Sequence, residues 1–155
     1  MPQAGLIAWI LTAGAGLYLL TVWLIEYDRE FQSAAATRLP VPVISAHALL
    51  AVTGLVIWGI YLLTDTDRLA WVATFILAPV ALFGFIMAAR WIGVYRTHAA
   101  PSGASAGSGA RSARNWTAVP PERHFPLPVV IGHGVFAAVT IVLVLLTTLG
   151  VGGGS

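Results

Sequence analysis

Four stretches of the chain are almost wholly apolar, and polar or glycine-rich segments separate them. The first runs from Leu6 to Ile25, long enough at about 1.5 Å per residue to cross a hydrocarbon core of about 30 Å as a helix. The charged segment Glu26-Tyr-Asp-Arg-Glu30 ends it. The second covers residues 42–63 and opens on Pro42, at the one helical turn where a missing backbone N–H costs least. After the polar turn Thr64-Asp-Thr-Asp-Arg68, the third covers 69–89, and Pro79 near its middle predicts a kink. The fourth covers 128–149. This pattern predicts an all-α, integral membrane four-helix bundle forming a single domain. Residues 98–121, rich in Gly, Ser and Ala, are expected to form a flexible loop, because they bury too little apolar surface to offset ordering. Residues 150–155 are expected to form a flexible tail.

Composition strengthens this picture. A chain that is 58% hydrophobic and 9% charged carries too little charge to cover a water-soluble surface. It has no cysteine, which excludes disulfide frameworks, thiolate metal sites and thiol redox relays. Its basic residues are eight arginines and no lysine, in a background heavy in Ala and Gly that suits a GC-rich bacterial genome. Four spans alternate in direction, so the first and third loops share one side. Arg29, Arg38, Arg90, Arg96, Arg111, Arg114 and Arg123 fall there and Arg68 alone falls opposite, which predicts cytoplasmic loops and both termini outside, in the cell membrane. These arginines read as topology signals and lipid-headgroup contacts, not as a nucleic-acid footprint. No basic residue precedes the first span, so it is expected to be a retained helix and not a cleaved leader. Trp9 and Trp23 are expected near its two interfaces, with Tyr18 between them.

Two histidines lie inside spans. Pro42-Val-Ile-Ser-Ala-His47-Ala-Leu-Leu-Ala51 and Pro128-Val-Val-Ile-Gly-His133-Gly-Val-Phe-Ala137 place a histidine between small residues near the start of the second and fourth spans, and four residues before an alanine. These spans run in the same direction, so His47 and His133 are expected to be level and to face the bundle interior, since a polar ring in hydrocarbon needs a partner. Positions i, i+4 and i+7 share a helical face, giving His47, Ala51, Gly54 and His133, Ala137, Thr140. Three readings are open. Each ring could hydrogen-bond a backbone carbonyl or a hydroxyl such as Ser45 or Thr53; the pair could contact a quinone or another ligand; or the small neighbours could clear room for a flat macrocycle between two imidazoles.

On these residues the chain resembles the small b-type membrane cytochromes, four-helix bundles in which a histidine from each of two alternate helices ligates haem b. The resemblance covers the four-span core and rests on His47, His133 and their small neighbours. It implies one haem b per chain, with His47 and His133 as axial iron ligands, and electron relay to or from quinone or a partner subunit. Many members carry two haems on four membrane histidines; here His98 and His124 lie outside the spans, so a second haem is not implied. The resemblance also implies propionates directed at the cytoplasmic face, where Arg90 would pair with a carboxylate, with Arg38 and Arg123 as further candidates.

The remaining features narrow the function by exclusion. His98 and His124 flank the long loop with Glu122 as the one nearby acid, an incomplete set for zinc, so they read as interface histidines. Trp91, Tyr95 and His98 share a face beyond the third span, an aromatic belt that could border a quinone headgroup. No Asp or Glu lies well inside a span, which weighs against ion pumps and proton-coupled carriers. Neither a hydrolase arrangement nor a phosphate-cradling loop is recognisable, and no catalytic residue is assigned. The alternatives to an electron-transfer protein are a non-enzymatic accessory or scaffold subunit of a larger membrane complex and, more weakly, a small-molecule or lipid transporter.

Overall fold

A computed structural model of the protein describes residues 1–27, 39–99 and 121–151, with the backbone alone at 97–99. The described residues form four α-helices and one short 3-10 turn: α1 (Pro2–Glu26), α2 (Val41–Thr64), α3 (Asp67–Ala99), η1 (Pro121–His124) and α4 (Leu127–Thr148). Each α-helix is long and apolar enough to cross a membrane, the architecture of a multi-pass membrane protein. Arg29, Arg38, Arg111 and Arg114, most of the expected flexible loop and residues 152–155 of the expected tail lie outside the described residues.

α1, α2 and α3 are longer than their apolar runs. α1 starts at Pro2, where proline suits the first turn. α3 passes through Pro79 and continues well beyond residue 89, because Trp91 and Val94, three residues apart, give its far end a buried stripe of its own. The α2–α3 turn is tight as expected: Asp65 adopts φ 50°, ψ 35°, a left-handed conformation that a short polar side chain tolerates, and its N–H donates to Tyr61 O at 2.8 Å.

α1 packs chiefly on α4 and α2 chiefly on α3, in antiparallel pairs, while the contacts of α1 with α2 and of α3 with α4 are slighter. The main core lies at the end where α2 turns into α3, and comprises Trp9, Trp58, Tyr61, Ala70, Ala73, Leu77 and Val144. The Trp58 ring lies 6.5 Å from that of Trp9 and 4.9 Å from that of Tyr61, and its indole N–H donates to Pro2 O at 3.3 Å. At the opposite end Trp23, Leu39, Trp91, Val94, Pro121 and Glu122 are buried. Trp9 and Trp23 therefore belong to the two cores and do not face outward as a belt; Tyr18 is exposed. Between the cores lies a layer in which no described residue is fully buried: Ile10 to Val22, Val41 to Thr53, Ala78 to Arg90 and Leu127 to Val139. Both membrane histidines sit in this layer.

Gly54 is the closest approach in the main core. A Cβ there would meet Trp9 Cζ2 at 2.8 Å, Trp9 Cη2 at 2.9 Å and Ile76 Cγ2 at 3.2 Å. Gly54→Ala is accordingly expected to destabilise the protein by about 1–3 kcal/mol through overpacking. Gly59→Ala, which meets nothing within 4 Å, is expected to be neutral or to stabilise by up to about 1 kcal/mol through helix propensity. Denaturation of both variants in detergent micelles checks the contrast.

The two halves of the chain repeat one another more deeply than the histidines alone suggest. Leu39-Pro40-Val41-Pro42-Val43 and Phe125-Pro126-Leu127-Pro128-Val129 lead into α2 and α4, and their capping prolines have nearly the same backbone angles, φ −65°, ψ 121° and φ −65°, ψ 122°. Gly16, Trp23 and Tyr27 of α1 recur at the same spacing as Gly84, Trp91 and Tyr95 of α3. In both places the Trp and Tyr rings lie against each other, with centroids 4.4 Å and 5.3 Å apart. At matching positions of α2 and α4, Trp58 and Val144 are both fully buried. The bundle is thus two helix pairs, α1–α2 and α3–α4, of one plan.

Candidate functional site

The double-proline entries fix where α2 and α4 begin, and each places its histidine a turn and a half into the helix. The structure brings the two together: the His47 and His133 rings lie with centroids 6.3 Å apart and planes 62° apart. The predicted interior faces hold, since Gly54 and Thr140 are buried and Ala51 and Ala137 half-buried beneath the rings.

Each ring leans on a neighbouring helix. His47 Nδ1 lies 3.0 Å from Val80 O of α3, and His133 Nδ1 lies 3.0 Å from Thr12 O of α1. A carbonyl oxygen only accepts, so in both contacts Nδ1 carries a proton and donates, and in the neutral ring Nε2 is then a bare lone pair. Among the described residues neither Nε2 has a hydrogen-bond partner, and no buried side-chain nitrogen or oxygen is left without one, so both nitrogens border open space. The hydroxyls of Ser45 and Thr53 are not the partners. Both residues are exposed, and Thr53 donates to Leu49 O of its own helix.

The small residues that matter most lie across from the rings. A Cβ on Gly16 would meet His133 Cε1 at 2.9 Å, and one on Gly84 would meet His47 Cε1 at 3.4 Å. Gly132 and Gly134, beside His133 in sequence, have nothing within 4 Å of an added Cβ. One hydroxyl pair breaks the likeness of the two halves: Thr12 and Thr140 Oγ1 lie 3.2 Å apart, where the other half has Val80 and Gly54.

The other candidates are more dispersed. Arg90 is exposed near the far end of α3 and Arg123 is exposed on η1, while Arg38 lies outside the described residues. His124 is exposed and its Nδ1 lies 3.7 Å from Glu26 Oε2, tying η1 to the end of α1. The side chain of His98 is not described, and among the described residues no group of three or more His, Cys, Asp or Glu could hold a metal ion. Glu122 is fully buried where η1 meets α1 and α3, a burial that a short polar sequence does not announce. Tyr95 is exposed beside buried Trp91.

The donor set is therefore two neutral imidazoles with bare nitrogens in an unsealed layer between two cores. At 6.3 Å between centroids the two rings are close enough that both could hold one metal-bearing group. Two nitrogens do not complete a coordination sphere, so a metal held there would need further donors. Comparison of the chain with protein-family models, with curated proteins and with solved structures returned no match.

Proposed function

We propose that the protein is an electron-transfer protein of the cytoplasmic membrane that holds one haem b between His47 and His133 and exchanges electrons with quinone or a partner subunit. The observation that supports this best is the paired geometry of two imidazoles, each donating through Nδ1 to a helix carbonyl and each left with a bare Nε2, close enough that both could hold one metal-bearing group. Bound haem would supply one-electron chemistry. The chain's own residues would do the rest: His47 and His133 would hold the iron through their ring nitrogens, and the small residues around them would leave room for the macrocycle. Arg90 is the proposed partner of a propionate, and the excess of arginine in the first and third loops supports cytoplasmic placement of that end and an external position for both termini.

Absorbance of the protein purified after expression with ample haem tests this. The expected result is a Soret band with sharp α and β bands on reduction, at about one haem per chain. A colourless protein would overturn it. The accessory-subunit reading draws support from one observation: each histidine already has a backbone acceptor, so the pair can stand as a helix–helix tie without a ligand. That reading predicts a colourless protein that co-purifies with a larger membrane complex.

A further inference from the structure

We infer that the two halves of the chain position each other's histidines, through helix carbonyls that Gly16 and Gly84 leave bare. The two sites have one design. His133, in the second half, donates to Thr12 O in the first; His47, in the first half, donates to Val80 O in the second. In each case a glycine follows the accepting carbonyl by four residues.

That spacing has a physical cause. Within an α-helix the carbonyl of residue i points at residue i+4, and the Cβ of residue i+4 tilts back toward the helix N-terminus, over that carbonyl. With glycine at i+4 the oxygen keeps its helical bond to the glycine N–H and still has a lone pair open to a side chain from outside. An imidazole can then approach sideways, and the contact distances place it there: the Cε1 corner of the His133 ring, next to Nδ1, occupies space that a Cβ at Gly16 would contest at 2.9 Å, and the same corner of His47 lies at contact distance, 3.4 Å, from a Cβ at Gly84. The bond selects the Nδ1–H tautomer and leaves Nε2 without a proton in the neutral ring. Gly16 and Gly84 are thus positioning residues, each acting through a histidine in the opposite half. The recurrence of Gly16, Trp23, Tyr27 as Gly84, Trp91, Tyr95 shows that the device is carried twice by the same helix plan.

Only the use of the bare nitrogens as iron ligands rests on the proposed function; the tautomer and its control do not. Ring nitrogen NMR of the full-length protein, labelled with 15N-histidine and held without haem in phosphatidylcholine nanodiscs, separates the two. Both rings are expected to show a protonated Nδ1 and a bare Nε2, with assignments from His47→Ala and His133→Ala. Gly16→Ala, whose Cβ would come within 2.9 Å of the ring, is expected to move the His133 signals to a mixture of tautomers and leave those of His47 in place. Gly84→Ala, at 3.4 Å, fits with a small adjustment, and is expected to move the His47 signals alone and by less. An Nε2–H tautomer at either histidine, or variants that leave the facing histidine unchanged, would overturn the inference. In haem-loaded protein the same glycine variants are expected to shift the midpoint potential and to weaken haem binding about 10-fold or more, as loss of an outer-shell partner does. A protein that shows the tautomers but never a Soret band would refute the proposed haem and leave the positioning role standing.

Discussion

His47→Ala and His133→Ala are each expected to abolish the low-spin haem spectrum and to cost more than the about 100-fold in affinity that marks the upper range for loss of an outer-shell partner. The reason is that no described residue replaces the lost donor. The rings lie in a layer without fully buried side chains, Ser45 and Thr53 are exposed, and no other His, Cys, Asp or Glu gathers there. The fold itself has little to lose. Thr12 O and Val80 O are interior helix carbonyls that retain their own N–H partners, so removing either imidazole strands no donor or acceptor and costs no more than the about 1 kcal/mol net of one hydrogen bond. Spectrum and stability therefore come apart, and the comparison of haem absorbance with the unfolding midpoint of the haem-free variants measures both. Free imidazole added to either variant is expected to enter the space left by the ring and restore the low-spin bands. If the histidines served only to tie helices together, neither variant would change any absorbance.

The hydrophobic pattern made the bundle legible because crossing a membrane needs little else: four apolar runs of sufficient length gave four helices. The site was legible in half. His47 and His133 stand out since a polar ring in an apolar run needs a reason, and the shared prolines placed them level along parallel helices. Their partners were hidden for a geometric reason. Periodicity reports which residues share a face of one helix, but Thr12, Gly16, Val80 and Gly84 act across a helix–helix gap, and two of them act through backbone oxygens that any residue carries. The signal that could have found them was the second repeat, the glycine, tryptophan and tyrosine at matching spacings in α1 and α3, which is quieter than the histidine echo because no member of it is unusual in an apolar helix. The length of α3 was missed for a similar reason. Arg90 and Arg96 break the apolar run, whereas Trp91 and Val94 keep a one-sided stripe that packing rewards and average hydropathy overlooks.

Trp58→Ala is expected to be the most destabilising single truncation, by about 3 kcal/mol, at the low end of the range for emptying a large aromatic site in a core. Trp58 is fully buried, lies against Trp9 and Tyr61, and fills the space over Gly5, where a Cβ would meet its ring at 3.4 Å. The low end applies because lipid is as apolar as the core, so the variant forfeits packing contacts and gains little from the transfer of apolar area out of water. Its indole N–H leaves with it, and Pro2 O sits in the first turn of α1, where its helical donor remains, so no buried polar group adds to the cost. Trp71→Ala provides the contrast: that ring is 40% exposed and stacks only near Phe75, on the outer face, and its loss is expected to stay within about 0.5 kcal/mol. Trp58 stands eleven positions beyond His47 on α2, about 16 Å along the helix, and Thr140 and Gly54 lie between the two layers. Haem absorbance of Trp58→Ala is therefore expected to match that of the unaltered protein below its lowered unfolding midpoint. A spectrum disturbed at full folding would mean that the core at the α2–α3 turn and the histidine layer form one coupled unit.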